Sequence, residues 1–91
     1  MRRIRAVVAG RVQGVGFRAY ATRRAGEAGV SGWVANRPDG TVECVAEGEE
    51  RAVQRFLDDL RQGPRFGRVT GVAVTEEEPE GLLGFRMKSI S

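Results

Sequence analysis

The segment from Gly10 to Arg18 reads GRVQGVGFR and follows an apolar stretch of the chain. Its three glycines permit positive φ angles and a close approach of the backbone to a ligand, so that successive N–H groups can point into one concavity. Arg18 adds a permanent charge and a planar fork of donors that suits phosphate oxygens. These residue types at this spacing predict a segment that holds an oxyanion.

A glycine-rich turn that merely joins a strand to a helix is the competing interpretation, because such connections are common. Arg18 favours anion binding, since it falls in the first turn of the predicted helix. A cation at that place opposes the positive end of the helix dipole, and a bound anion would relieve the conflict.

Three known phosphate motifs do not fit the chain. Residues 14–19 spell G-x-G-x-x-A, but a dinucleotide site needs a doubly wound parallel sheet that 91 residues cannot house. The Gly-Lys-Ser/Thr of a Walker loop is absent. The cysteine-to-arginine spacing of thiol phosphatases is missed by one residue between Cys44 and Arg51, and we expect Cys44 to pack in the core.

Composition excludes further classes of chemistry. The absence of histidine removes histidine-based triads, phosphohistidine chemistry and most zinc sites. One cysteine cannot form an internal disulfide, and no apolar run is long enough to span a bilayer, so we expect a cytoplasmic protein without membrane contact. The net charge is +3, and seven arginines precede the first acid, Glu27, which predicts a positive field over the N-terminal third.

Apolar periodicity predicts strands at 4–9, 30–36, 41–47, 69–75 and 84–90, and helices at 17–28 and between Glu49 and Gly63. A tight-turn sequence, RPDG, joins the second and third strands, and the acidic EEEPEG segment at 76–81 is expected to be another turn. The βαββαβ order with an additional C-terminal strand predicts a ferredoxin-like α/β sandwich. Both helices of this α+β fold cover one face of a mostly antiparallel sheet. We expect one domain over residues 1–91.

Asn36 ends the second predicted strand, just before the turn. An asparagine there can simply initiate the turn through its side chain. In the predicted topology, however, the third strand lies between the first and the second. Asn36 can therefore approach the loop that follows the first strand.

The chain resembles the acylphosphatase family in length, in element order and in two motifs, GRVQGVGFR at 10–18 and GWVANRPDGTV at 32–42. That family hydrolyses the carboxyl-phosphate bond of acyl phosphates. The resemblance implies that Arg18 binds the phosphate and that Asn36 positions the attacking water. It implies an acyl phosphate substrate and inorganic phosphate as product. No cluster of acids lies beside the loop in the sequence, so we expect no metal or other cofactor, and we expect a monomer. The implied phosphate cradle is the backbone of Gly10, Arg11, Val12, Gln13, Gly14 and Val15.

The alternative is a module that keeps the anion site only to bind a ligand or RNA. RNA-binding modules of this fold stack bases on aromatic residues of their central strands. Trp33 is the only aromatic residue of the central strands here, and we expect it to pack. We therefore expect no nucleic-acid partner.

Overall fold

The computed structural model of the protein describes residues 1–89 as a five-stranded sheet with two helices. The elements are β1 (Arg2–Arg11), α1 (Phe17–Ala28), β2 (Ser31–Asn36), β3 (Val42–Gly48), α2 (Glu50–Gln62), β4 (Arg68–Glu77) and β5 (Phe85–Ser89). The strand order is β4-β1-β3-β2-β5, and every neighbouring pair is antiparallel except β2 and β5, which are parallel. The predicted ferredoxin-like sandwich with an additional strand is confirmed. Ile90, the predicted end of that strand, lies outside the described residues.

Both helices pack on one face of the sheet, because alternate residues of each strand are apolar and point to that side. Full burial of a large apolar side chain contributes about 1.5–3 kcal/mol, and α2 buries one at nearly every turn. Cys44 packs in this core, as predicted. No helix within residues 1–89 is long and apolar enough to cross a membrane. The buried side chains of the two helices are Phe17, Tyr20, Ala21, Ala25, Val53, Phe56, Leu57 and Leu60.

The strand β4 extends two residues beyond the prediction, into the acidic segment. Arginines of β1 hold these residues in place. Arg2 Nη2 lies 2.8 Å from Glu76 Oε2. The carboxylate of Glu77 forms ion pairs with Arg3 Nε at 2.9 Å and with Arg5 Nε at 2.7 Å. The acidic segment therefore neutralises three N-terminal arginines. The expected positive field over the N-terminal third is wrong for this end of the sheet.

The connection from β4 to β5 crosses the sheet, because these two strands occupy opposite edges. The buried carboxylate of Glu47 anchors the connection. It accepts hydrogen bonds from the backbone N–H groups of Glu80 at 2.6 Å, Gly81 at 2.7 Å and Leu82 at 2.8 Å. These donors, chiefly the N–H of Glu80, lower the pKa of Glu47 despite its desolvation, and Arg3 adds a favourable charge.

Candidate active site

The loop between β1 and α1 presents a row of backbone N–H groups. Gly14 and Gly16 have φ angles of 74° and 78°, a region that favours glycine, and Gly16 is the N-cap of α1. The helix makes its first hydrogen bond from the N–H of Tyr20 to the carbonyl of Gly16. Within residues 1–89, the seven N–H groups of residues 13–19 have no hydrogen-bond acceptor. These donors can bind an anion.

Arg18 is the second residue of α1, as its place in the sequence predicted. The first turn contains no acidic residue, and no side chain caps the helix. The carbonyl of Arg18 accepts a hydrogen bond from Thr22 Oγ1, whereas its guanidinium has no partner among the described residues. The positive end of the helix dipole and the positive charge of Arg18 thus lie together, and no acid among the described residues balances them. This arrangement favours an anionic ligand.

Gln13 ties this loop to the turn between β2 and β3. Its Nε2 donates to the carbonyl of Arg37 at 2.7 Å and to the carbonyl of Thr41 at 2.9 Å. Arg37 directly follows Asn36, the last residue of β2. The side chain of Gln13 therefore fixes the end of β2 beside the glycine loop.

A cleft of about 200 Å³ lies between the loop, α1 and the ends of β2 and β5. It brings Arg18 and Asn36 to one site, although 18 positions separate them in the sequence. Asn36 shares the helix-side face of β2 with buried Val34, and its side chain makes no hydrogen bond within residues 1–89. The lining residues are Val12, Gly14, Gly16, Phe17, Arg18, Ala19, Asn36 and Met87.

The first two residues of the expected cradle lie in β1 rather than in the cleft lining. Gly10 pairs with Val69 and Arg11 with Arg68 in the ladder between β1 and β4. Gly10 has a φ of 124°, and a Cβ there would lie 2.1 Å from the carbonyl oxygen of Arg68. This glycine therefore permits a close approach of two strands. Arg11 is exposed at the end of β1.

Two of the remaining cradle residues, Val12 and Gly14, line the cleft. Val15 is partly buried and packs against the core instead. Four lining residues were not predicted as part of the site: Gly16, Phe17, Ala19 and Met87. Gly16 stands within the GRVQGVGFR motif and could have been found there, and Ala19 is one residue beyond it. Met87 carries no sequence signal, because its position depends on the parallel pairing of β5 with β2.

Among residues 1–89, the cleft lining contains no acid, histidine or thiol. Cys44 is fully buried on β3, and burial raises the pKa of its thiol, so it offers no nucleophile. Within residues 1–89, no three His, Cys, Asp or Glu side chains converge as metal ligands. The chemistry that this lining supports is binding and charge stabilisation by N–H groups, one guanidinium and one amide.

Comparisons with known proteins identify the family of the chain. A sequence model of the acylphosphatase family matches residues 4–87. The acylphosphatase of Thermus thermophilus is 53% identical over 87 residues, which covers 96% of this chain and 99% of that protein. The acylphosphatase of Thermococcus kodakarensis is also 53% identical, over 89 residues, with 96% and 98% covered.

Among solved structures, the crystal structure of acylphosphatase from Bacillus subtilis superimposes with a TM-score of 0.94. The two sequences are 44% identical, and the match covers 97% of this chain and 99% of that one. Sequence and structure lead to the same conclusion: the chain belongs to the acylphosphatase family.

Proposed function

We propose that the cleft between the glycine loop and Asn36 is the site where this acylphosphatase hydrolyses acyl phosphates to a carboxylate and inorganic phosphate. The observation that carries the proposal is the meeting of Arg18 and Asn36 in one cleft beside unpaired backbone donors. A site built only to bind an anion would need the arginine and the loop. The amide of Asn36, which makes no hydrogen bond within residues 1–89, gives the cleft a second polar group that can form a hydrogen bond with water.

In this proposal the phosphate is held by the N–H groups of the loop and of the first turn of α1, together with Arg18. The free donors between Gln13 and Ala19 support this placement, and Gly10 and Arg11 hold the loop from β1. A phosphoryl group in hydrolysis carries charge on its equatorial oxygens, which preorganised donors stabilise at no reorganisation cost. The role of the loop is therefore to position and neutralise the phosphate.

Asn36 positions the attacking water. The oxygen of an amide can accept a hydrogen bond from water but is not basic enough to remove a proton from it, and guanidinium stays protonated. The residues of the cleft lining that the structure describes include no other base. We therefore infer that the water transfers its proton to a phosphate oxygen of the substrate. The leaving carboxylate needs no general acid near neutral pH, which accords with the absence of histidine.

The experiment compares hydrolysis of benzoyl phosphate by the wild-type protein with three variants. Arg18→Ala should lower kcat/KM about 10- to 150-fold, because a charge-assisted hydrogen bond contributes about 1.5–3 kcal/mol. Asn36→Ala should lower kcat, because the amide positions the water and does not hold the phosphate. Binding of inorganic phosphate should therefore stay within about twofold, a change of about 0.4 kcal/mol. Arg23→Ala, which removes an exposed arginine from the same helix, is the matched control and should be nearly neutral.

Three results would each reject a part of this proposal. Near-full activity of Asn36→Ala would remove the role of Asn36 in positioning water. Equal losses for Arg18→Ala and Arg23→Ala would mean that only the general positive charge of α1 matters. A pH profile of kcat that requires a deprotonated enzyme group near neutrality would contradict proton transfer to the substrate.

We further propose that the protein works as one domain over residues 1–91, as a cytoplasmic monomer without a nucleic-acid partner. The single cysteine cannot form an internal disulfide, which supports this compartment. Arg2, Arg3 and Arg5 are occupied by carboxylates, which argues against their use on a polyanion. Sedimentation of the purified protein with and without oligonucleotides tests the monomeric state and the lack of a nucleic-acid partner.

A further inference from the structure

A second cleft lies on the face of the sheet that the helices leave uncovered. We call it the tryptophan cleft, and it measures about 490 Å³. Small-molecule sites have volumes of about 300–1,000 Å³, so the space is adequate for a small organic ligand. The residues that define it are Gly32, Trp33, Gly81, Leu82, Leu83, Arg86 and Lys88.

The sheet separates this cleft from the catalytic cleft. Trp33 pairs with Arg86 in the parallel ladder of β2 and β5, whereas buried Val34 pairs with Met87. Successive side chains of a strand point to opposite faces. Asn36 and Met87 therefore line the catalytic cleft, and Trp33 and Arg86 line the tryptophan cleft. A ligand can occupy one cleft without contact with residues of the other.

The tryptophan cleft combines apolar surface with uncompensated positive charge. Leu83 is 92% exposed, and the crossing connection holds it and Leu82 beside the indole of Trp33. Lys88 Nζ lies 4.4 Å from the centroid of that ring. Within residues 1–89, neither Arg86 nor Lys88 has an acidic partner, whereas the arginines at the start of β1 form ion pairs with glutamates.

We propose that the tryptophan cleft binds a small organic carboxylate with an apolar tail. The carboxylate pairs with the cationic groups of Arg86 and Lys88, and the tail lies on Trp33 and the two leucines. Charge complementarity selects an anion, and the exposed apolar surface beside it distinguishes this ligand from a simple inorganic anion. Gly81 also lines the cleft, and no atom lies within 4 Å of the place that a Cβ would occupy there, so this glycine leaves room for the ligand.

The test uses octanoate as probe, because it does not absorb where tryptophan emits, and Trp33 is the only tryptophan. We expect a saturable change in Trp33 fluorescence with octanoate and a much weaker one with acetate or 1-octanol. In amide spectra of the ¹⁵N-labelled protein, octanoate should shift Gly32, Gly81 and Arg86. Inorganic phosphate should instead shift the amides of the glycine loop.

Variants distinguish charge pairing at this cleft from general attraction. Lys88→Gln and Arg86→Gln should each weaken octanoate binding about two- to fivefold, the range expected for an exposed charge pair. Arg51→Gln, which removes the same charge from an exposed position of α2, should leave binding unchanged. Arg18→Ala should also leave it unchanged, so the outcome is independent of the proposed catalytic role of Arg18.

The proposal is overturned if octanoate causes no saturable change at millimolar concentration. It is equally overturned if Arg51→Gln weakens binding as much as Lys88→Gln does, because the attraction would then depend only on net charge. Octanoate shifts confined to Gly14 and Gly16, and lost in Arg18→Ala, would place the ligand in the catalytic cleft and also reject the second site.

Discussion

Replacement of Gln13 by alanine tests how the fold holds Asn36 at the glycine loop. The substitution removes two hydrogen bonds, from Gln13 Nε2 to the carbonyls of Arg37 and Thr41. Each carbonyl keeps another donor: the N–H of Gly40 lies 3.1 Å from the Arg37 oxygen, and the N–H of Arg37 lies 2.9 Å from the Thr41 oxygen. Neither oxygen is orphaned, so the loss is that of two ordinary net bonds, about 1–3 kcal/mol in total.

For a domain of this size, 1 kcal/mol corresponds to a change in Tm of about 4–8 °C. Gln13→Ala should therefore lower Tm by at least about 4 °C in a thermal melt followed by circular dichroism. Gln62→Ala, which removes an exposed amide at the end of α2, is the matched control and should lower Tm by less than half as much.

The same substitution should affect turnover more than phosphate binding. The loop keeps its own N–H donors and Arg18, whereas the end of β2 loses its attachment, so Asn36 is less well placed. A misplacement on the order of 1 Å can cost about 100-fold in rate, and we expect kcat for benzoyl phosphate to decrease about 10- to 100-fold. The affinity for inorganic phosphate should remain within about threefold, a change of about 0.6 kcal/mol, because the donors that hold the phosphate are unchanged.

Gln13→Glu supplies a second readout, since a carboxylate has the same shape but cannot donate to the two carbonyls. It should reproduce or exceed the loss seen with alanine. Unchanged Tm and unchanged kcat in both variants would refute the reasoning. A parallel fall in kcat and phosphate affinity would also refute it, because Gln13 would then act on the loop itself.

Three further predictions follow from other contacts. The N–H of Glu80 is the main cause of the lowered pKa of Glu47, and Arg3 is the main cause of the lowered pKa of Glu77. Their contribution to the stability of the fold is therefore complete above the ordinary pKa of 4.5 and is lost as the pH falls through the lowered pKa values. The free energy of unfolding, measured by urea titration at pH 7, 5 and 3, should show this loss. It should decrease less steeply with falling pH in Glu47→Gln than in the Glu78→Gln control; identical slopes in the two variants would contradict the contribution of Glu47. Gly10→Ala should destabilise the protein by about 2–6 kcal/mol through positive φ and the clash with β4, whereas Gly26→Ala, in open space on α1, should stabilise it by about 0.5–1 kcal/mol; equal effects in denaturant titrations would reject the packing argument. Hydrolysis of benzoyl phosphate should persist after dialysis against EDTA, because the described part of the chain places no carboxylate in the cleft lining; activity that returns only with a divalent cation would disprove a metal-independent site.

Local patterns in the sequence were enough for the elements and for half of the candidate site. The glycine loop was predictable because positive φ angles at Gly14 and Gly16 need glycine whatever surrounds them. The position of Arg18 on α1 followed from the apolar spacing of the helix. Strand ends were less predictable: β4 reaches Glu77 because arginines of β1 pair with its glutamates, and no local propensity encodes that pairing.

The amino-acid sequence by itself determined which residues can do chemistry, since residue type and local spacing set charge, donor geometry and backbone freedom. Only the tertiary structure decided which of them share a site. The hydrogen bonds of Gln13 attach the loop to the end of β2, and the parallel pairing of β5 with β2 brings Met87 to one face and Lys88 to the other. These contacts join distant parts of the chain, and their energies exist only when the sheet is assembled. For that reason they leave no periodicity in the sequence from which they could have been predicted.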